Sequence, residues 1–187
     1  MKRNISLWQM SGFIFTSILG TFLHFLFDLT GGSAIVGLFS AVNESIWEHM
    51  KLLFYPMLVF AVIEYRIWGK DLPNFWCIKC KGTLLGLILI PVLFYTYSGI
   101  LGVTADWFNI TIFFIAAGAA YYLETRAFLQ NKPCRLGRRS SILLLVLIAV
   151  LFTVFTFLPP QIPFFRDPIT GTYGLQAASM HSTASVL

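Results

Sequence analysis

Charge is what this chain has least of. Only 11% of its 187 residues are Asp, Glu, Lys or Arg, less than half the roughly 25% of a soluble domain. A globule of this length could not cover its exterior with so few polar groups. That excludes an ordinary cytosolic enzyme, a nucleic-acid-binding module and a disordered chain. In place of charge there is grease: 57% hydrophobic residues, 17% aromatic and a mean hydropathy of +0.77. The composition is that of an integral membrane protein.

A bilayer core near 30 Å takes about 20 apolar residues in a helix, and backbone groups in hydrocarbon must be bonded within the span. Four stretches meet this plainly: 7–27, 52–68, 83–101 and 141–158. A fifth, 107–123, carries Asn109 and Thr111 in its first turn but continues into a small-residue run from Ala116 to Ala120 suited to close helix packing. The reading is an all-α bundle of five transmembrane helices over 1–175, followed by a disordered tail at 176–187. The apolar piece from Ala34 to Val42 is too short to cross, and Gly31, Gly32 and Ser33 break the chain before it. It is read as interfacial or re-entrant. Lys2 and Arg3 precede the first span, yet it lacks a small-residue cleavage site, so it reads as a retained anchor rather than a signal peptide.

Eleven of the 13 Lys and Arg lie at one set of span ends, in the segments around Lys2–Arg3, Arg66–Lys81 and Arg126–Arg139; only Lys51 and Arg166 lie at the other. By the positive-inside rule the amino terminus is cytoplasmic and the carboxyl terminus outside. Cys77, Cys80 and Cys134 then face the cytoplasm, with the Cys77–Cys80 pair in the loop before the third span. In a reducing compartment they read as free thiols. Glu64 and Glu124 read as partners of the adjacent Arg66 and Arg126 at the inner surface.

The remaining polar residues gather at the outer ends. His24 and Asp28, four apart, share a helix face with Ser17, Gly20 and Thr21 above them. Ser45 and Glu48 form a capping box, with Asn43 as an alternative cap. A helix starting there stacks Glu44 and Glu48 on one face above Lys51 and turns His49 about 100° away. Pro56, one turn deeper, is placed to kink it. Imidazoles and carboxylates without thiolate suit zinc, manganese or iron, and a catalytic zinc takes three protein ligands and leaves one position open. The candidate ligands are His24, Asp28, Glu48 and His49. Glu44 and Glu48 are candidate catalytic carboxylates beside a metal-bound water. The alternative is that these groups are interfacial polar residues near span ends, where the cost of polarity is small.

Past the fifth span, Pro159, Pro160 and Pro163 stop the helix and Asp167-Pro168 and Gly171 favour tight turns. This tail is either a headgroup-level anchor through Phe164, Phe165 and Tyr173 or a flap that brings Arg166 or Asp167 to the polar mouth. With Lys51 these two are the candidate substrate-binding residues.

Three pieces carry a family likeness: Leu23 to Asp28, Asn43 to Lys51, and the Pro-rich tail through Tyr173-Gly174. The chain resembles an uncharacterised family of small multi-pass bacterial membrane proteins, a domain-of-unknown-function family. The resemblance implies an inner-membrane location and carries no activity. The membrane-protease patterns E-E-x-x-x-R and H-E-x-x-H are absent. Three functions stay open on the residues: a membrane-embedded hydrolase or transferase using a divalent metal, a small transporter or ion-conducting protein, and a non-catalytic assembly partner. The lipid bilayer is the expected surrounding, nucleic acid is not a partner, and self-association is left open.

Overall fold

Long runs of Leu, Ile, Phe and Val leave each span no stable alternative to helix, and a computed structural model shows six α-helices among the described residues. It describes residues 2–102, 106–131 and 133–175, without the side chains of 2, 3 and 106. The tail at 176–187 and Lys132 lie outside the described residues. Helix α1 runs over Lys2–Leu29, α2 over Ala34–Gly37, α3 over Ile46–Ile67, α4 over Phe75–Leu101, α5 over Asp106–Leu129 and α6 over Arg138–Phe157. All but α2 are long and apolar enough to cross a membrane.

The distribution of side chains is the reverse of a soluble protein's. Ile18 (66% exposed), Ile88 and Leu143 face outward, while Gln9, Glu48, Lys51, Glu64, Lys79 and Glu124 are buried. An apolar exterior of this extent requires a partner phase, and a bilayer supplies one.

Close packing explains several small residues. Pro56 has no N–H, so the Leu52 carbonyl is left without its helical donor. Gly20 of α1 lies against that carbonyl, where a Cβ would come within 2.6 Å of the oxygen. Helix α3 continues through Pro56 without interruption. Ala116, Ala117 and Ala120 are fully buried, as the small-residue run in α5 requires.

The segment after α1 folds back on the bundle. Ser40 donates to the Leu23 carbonyl and accepts from the Phe27 N–H, which ties the segment to the last turns of α1. The tail returns likewise: the Leu175 N–H reaches the Thr156 carbonyl at 3.1 Å, and Phe164 and Phe165 pack on Trp47.

Two sequence expectations are corrected here. Cys77 and Cys80 lie within the first turns of α4, not in a loop, because Lys79 between them is buried and satisfied rather than solvated. Nor are all three cysteines free thiols. Cys77 is joined to Cys134, 57 residues on, with Cα atoms 6.3 Å apart, and Cys80 is the free, buried one. Loop closure of that length sets a ceiling of about 4 kcal/mol on the stabilisation; helices that stay inserted after unfolding lower it. Reduction, or Cys134→Ser, should therefore depress the unfolding midpoint in detergent. An unchanged midpoint, with three thiols titrating before reduction, would contradict the bond.

Candidate functional site

The start of α3 decides the site. Ser45 is the N-cap and its Oγ accepts from the Glu48 N–H at 3.3 Å. The other half of the capping box is rerouted. Asn43 Oδ1 takes the Ser45 N–H at 2.9 Å, and the Glu48 carboxylate takes the Val42 N–H at 3.0 Å. Because the helix begins only at Ile46, Glu44 lies outside it and does not stack with Glu48. The two acids turn to opposite tasks.

Glu44 faces His24 and His49. Its Oε1 lies 3.8 Å from His24 Nε2 and its Oε2 lies 3.3 Å from His49 Nε2. The imidazole rings of His24 and His49 are 5.3 Å apart, centre to centre. One ligand atom from each of the three residues falls within 4.8 Å of the others. Two donors each about 2.1 Å from a tetrahedral zinc are roughly 3.4 Å apart, so only small side-chain movements separate this arrangement from a ligand set.

The tautomer of His49 sharpens the chemistry. Its Nδ1 lies 2.9 Å from the Ser45 carbonyl, which can only accept, so Nδ1 carries a proton. A neutral ring then turns the lone pair of Nε2 toward the Glu44 carboxylate, an unfavourable pairing. Either a second proton or a cation must lie between them. The backbone bond at Nδ1 is the kind of outer support that orients metal-bound histidines.

His49 also governs the charge of Glu44. Its hydrogen bond holds the Glu44 carboxyl below the ordinary glutamate value of 4.5, against the opposing effect of partial burial. A lowered folded value means that the pair contributes stability above the unfolded value and loses it as pH falls through the folded one. Glu44→Gln should accordingly flatten part of the acid limb of stability below about pH 4.5. The effect is small, because Glu44 is 42% exposed and water screens the pair. Superimposable acid limbs for the two proteins would contradict the pairing.

These three residues line a cavity of about 480 Å³ between α1, α3, α4 and α5. Its walls are mainly apolar, including Ile90, Phe94, Ile112 and Phe113, with Asn109 as a further polar group. Phe25, Ile110 and Phe114 belong both to the cavity and to the exposed surface, so the space reaches the lipid-facing side. Asn109 is held by the Tyr97 hydroxyl, which donates at 2.5 Å.

The other residues proposed from sequence lie elsewhere. Asp28 is exposed and outside the His24–Glu44–His49 group. Glu48 is buried against Lys51, with 2.5 Å between Oε2 and Nζ, and does not line the cavity. Lys51 is fully buried and donates to the Gly37 carbonyl at 2.7 Å and to Thr156 Oγ1 at 2.9 Å. Asp167 organises its own turn by accepting from the Ile169 N–H and the Thr170 hydroxyl. Arg166 is exposed, and its Nε donates to the Gly171 carbonyl. Among the described residues of the tail, Ile169 alone reaches the cavity.

Glu64 and Glu124 do not pair with Arg66 and Arg126. Both are fully buried and share Lys79, at 2.5 and 2.6 Å. Gln9 joins them, donating from Nε2 to Glu64 Oε1 at 2.8 Å.

No curated protein and no solved structure matches the chain. One family model does, over residues 1–175, and by it the chain belongs to a family of unknown function, DUF6512.

Proposed function

We propose that this protein is a membrane-embedded hydrolase or transferase that holds a divalent metal (zinc, manganese or iron) on His24, Glu44 and His49 and acts on an amphipathic substrate. The observation that carries the reading is the convergence of two imidazoles and a carboxylate, from two helices and a connector, in the lining of a mainly apolar cavity. Three protein ligands leave a coordination position for water, whose pKa a metal lowers toward 7. The apolar walls suit a hydrocarbon tail, and Asn109 offers a second polar contact. Glu44 serves as ligand, and Glu48 has no part in the reaction. Of the three substrate-binding candidates, Arg166 alone keeps its charge accessible.

In this reading the cavity opens on the extracytoplasmic side, with the amino terminus in the cytoplasm. The charge bias supports that orientation, whereas the Cys77–Cys134 disulfide, at the basic end, favours an oxidising compartment there. The charge bias recurs in three separate segments and carries more weight. Reporter fusions at the carboxyl terminus test it.

Metal analysis of purified protein is the direct test. Near-stoichiometric metal is expected, reduced at least 10-fold in His49→Ala and in Glu44→Gln and retained in Asp28→Asn. Metal-free wild-type protein with an intact fold would end the metal reading.

A second reading, a small transporter or ion-conducting protein, draws on one observation. Polar groups recur along α1, from buried Gln9 and Thr16, which is bonded to the Tyr121 hydroxyl at 2.8 Å, to half-buried His24 at the cavity. Flux in proteoliposomes abolished by Thr16→Val with metal content unchanged would favour it.

A further inference from the structure

The charges around Lys79 do not balance. Its ammonium lies 2.5 Å from Glu64 Oε2 and 2.6 Å from Glu124 Oε2, and all three side chains are at most 3% exposed. Rings of Phe60, Phe75, Tyr121 and Phe128 surround Nζ at 5.5–5.8 Å, each presenting a face that favours a cation. Lys79 is thus held as the ammonium, and two carboxylates against it leave one formal negative charge.

No other charged side chain reaches this centre among the described residues. From α1 the facing group is Gln9, which is neutral; from α3 it is Glu64; from α4, Lys79; from α5, Glu124 and the Tyr121 ring. Arg126 stacks on Tyr122 and Arg138 on Tyr65, and Lys81 is exposed. An uncompensated charge in such an interior is costly, and buried ionisable groups neutralise instead.

The two acids are not equivalent. Glu64 accepts from Gln9 Nε2 through Oε1, and its Oε2, which makes no hydrogen bond among the described residues, still lies against the Lys79 ammonium. Glu124 uses Oε2 alone; its Oε1 is buried without a hydrogen-bond partner among the described residues. Helix α4 comes close to it only because residue 82 is glycine: a Cβ there would clash with that oxygen. The free position is a buried carboxylate oxygen and the missing charge is +1.

We propose that the Glu64–Lys79–Glu124 centre is a proton-binding site that carries one exchangeable proton, seated on Glu124, inside the membrane domain. The site is separate from the His24–Glu44–His49 group, with Gln9 and His24 about 22 Å apart along α1 at 1.5 Å per residue. It does not depend on that group holding a metal. Glu124 lies five residues from the end of α5, roughly 8 Å along the axis from that end at the helical rise, so exchange is with the basic side. Binding moves the centre from one net negative charge to neutrality, and release restores it.

Infrared spectroscopy of the full chain in nanodiscs at neutral pH tests the proposal. Wild-type protein should show the carbonyl absorption of a buried protonated carboxyl, shifted on exchange into D₂O. Glu124→Gln should remove it. Glu64→Gln should remove it as well, because one carboxylate then balances Lys79 and the proton is no longer needed. Both substitutions are neutral and of equal size, and either suffices should the other fail to fold. No such absorption in wild type, or its persistence in a folded variant of either kind, overturns the proposal.

Discussion

Replacing Lys79 with methionine is expected to remove about 3–5 kcal/mol of stability, the usual consequence of stripping one partner from a buried ion pair. The loss is a large share of the total for a domain of this size, and a drop in yield of folded protein from detergent should accompany it. The reason lies in what remains. Glu64 and Glu124 would face each other across an apolar gap lined by Phe60, Phe75 and Phe128, with Gln9 the one hydrogen-bond partner left to Glu64 among the described residues. The triple variant Lys79→Met, Glu64→Gln, Glu124→Gln separates the charge from the packing. It should regain most of the loss, since neutral groups of similar volume tolerate the same space. A Lys79→Met protein that unfolds at the wild-type midpoint would mean that the cluster is solvated in the folded state.

This cluster also marks the limit of what the linear sequence discloses. Glu64 and Glu124 each have an arginine two residues away, and Lys79 is followed by Lys81, so each reads locally as part of a solvated span end. Their true partners come from four helices, with Lys79 15 residues from Glu64 and the other partners joined across separations of 45 to 70 residues. Nothing periodic along the chain encodes that meeting. The same misreading hid the first two turns of α4. The span read from sequence starts at residue 83, whereas the helix already runs from Phe75, with Lys79 buried and Lys81 exposed.

What was legible depended on local rules. Long apolar runs located all five spans, and Ser45 caps α3 as its spacing to Glu48 predicts. The convergence of His24 with the α3 entrance followed from polar residues clustering at one set of helix ends. Which acid would meet the histidines did not follow, because it turns on a single residue of helix boundary. With Ile46 as the first helical residue, Glu44 is free of the helix and swings toward both imidazoles. Glu48 is committed to the interior.

Lys51→Met should be comparably severe, at about 3–5 kcal/mol, and its consequence should reach the candidate metal group without touching it. Lys51 joins three parts of the fold through polar contacts: Glu48 of α3, the Gly37 carbonyl of the short helix, and Thr156 of α6. Without the ammonium, Glu48 is a buried carboxylate held only by the Val42 N–H and the Thr156 hydroxyl. That charge will draw water in or be expelled, and either result loosens the connector from Ser40 to Ser45. Glu44 sits on this connector, two residues past Val42. Glu44 should therefore lose its fixed relation to His24 and His49, so that Lys51→Met protein rescued into folded form by lipid binds metal more weakly than wild type. Adding Glu48→Gln removes the stranded charge while keeping an acceptor for Val42, and should restore much of both stability and metal content. Wild-type metal affinity in folded Lys51→Met protein would show that the connector is held by the tail and the Ser40 contacts alone, and that the Glu48–Lys51 pair has no part in shaping the site.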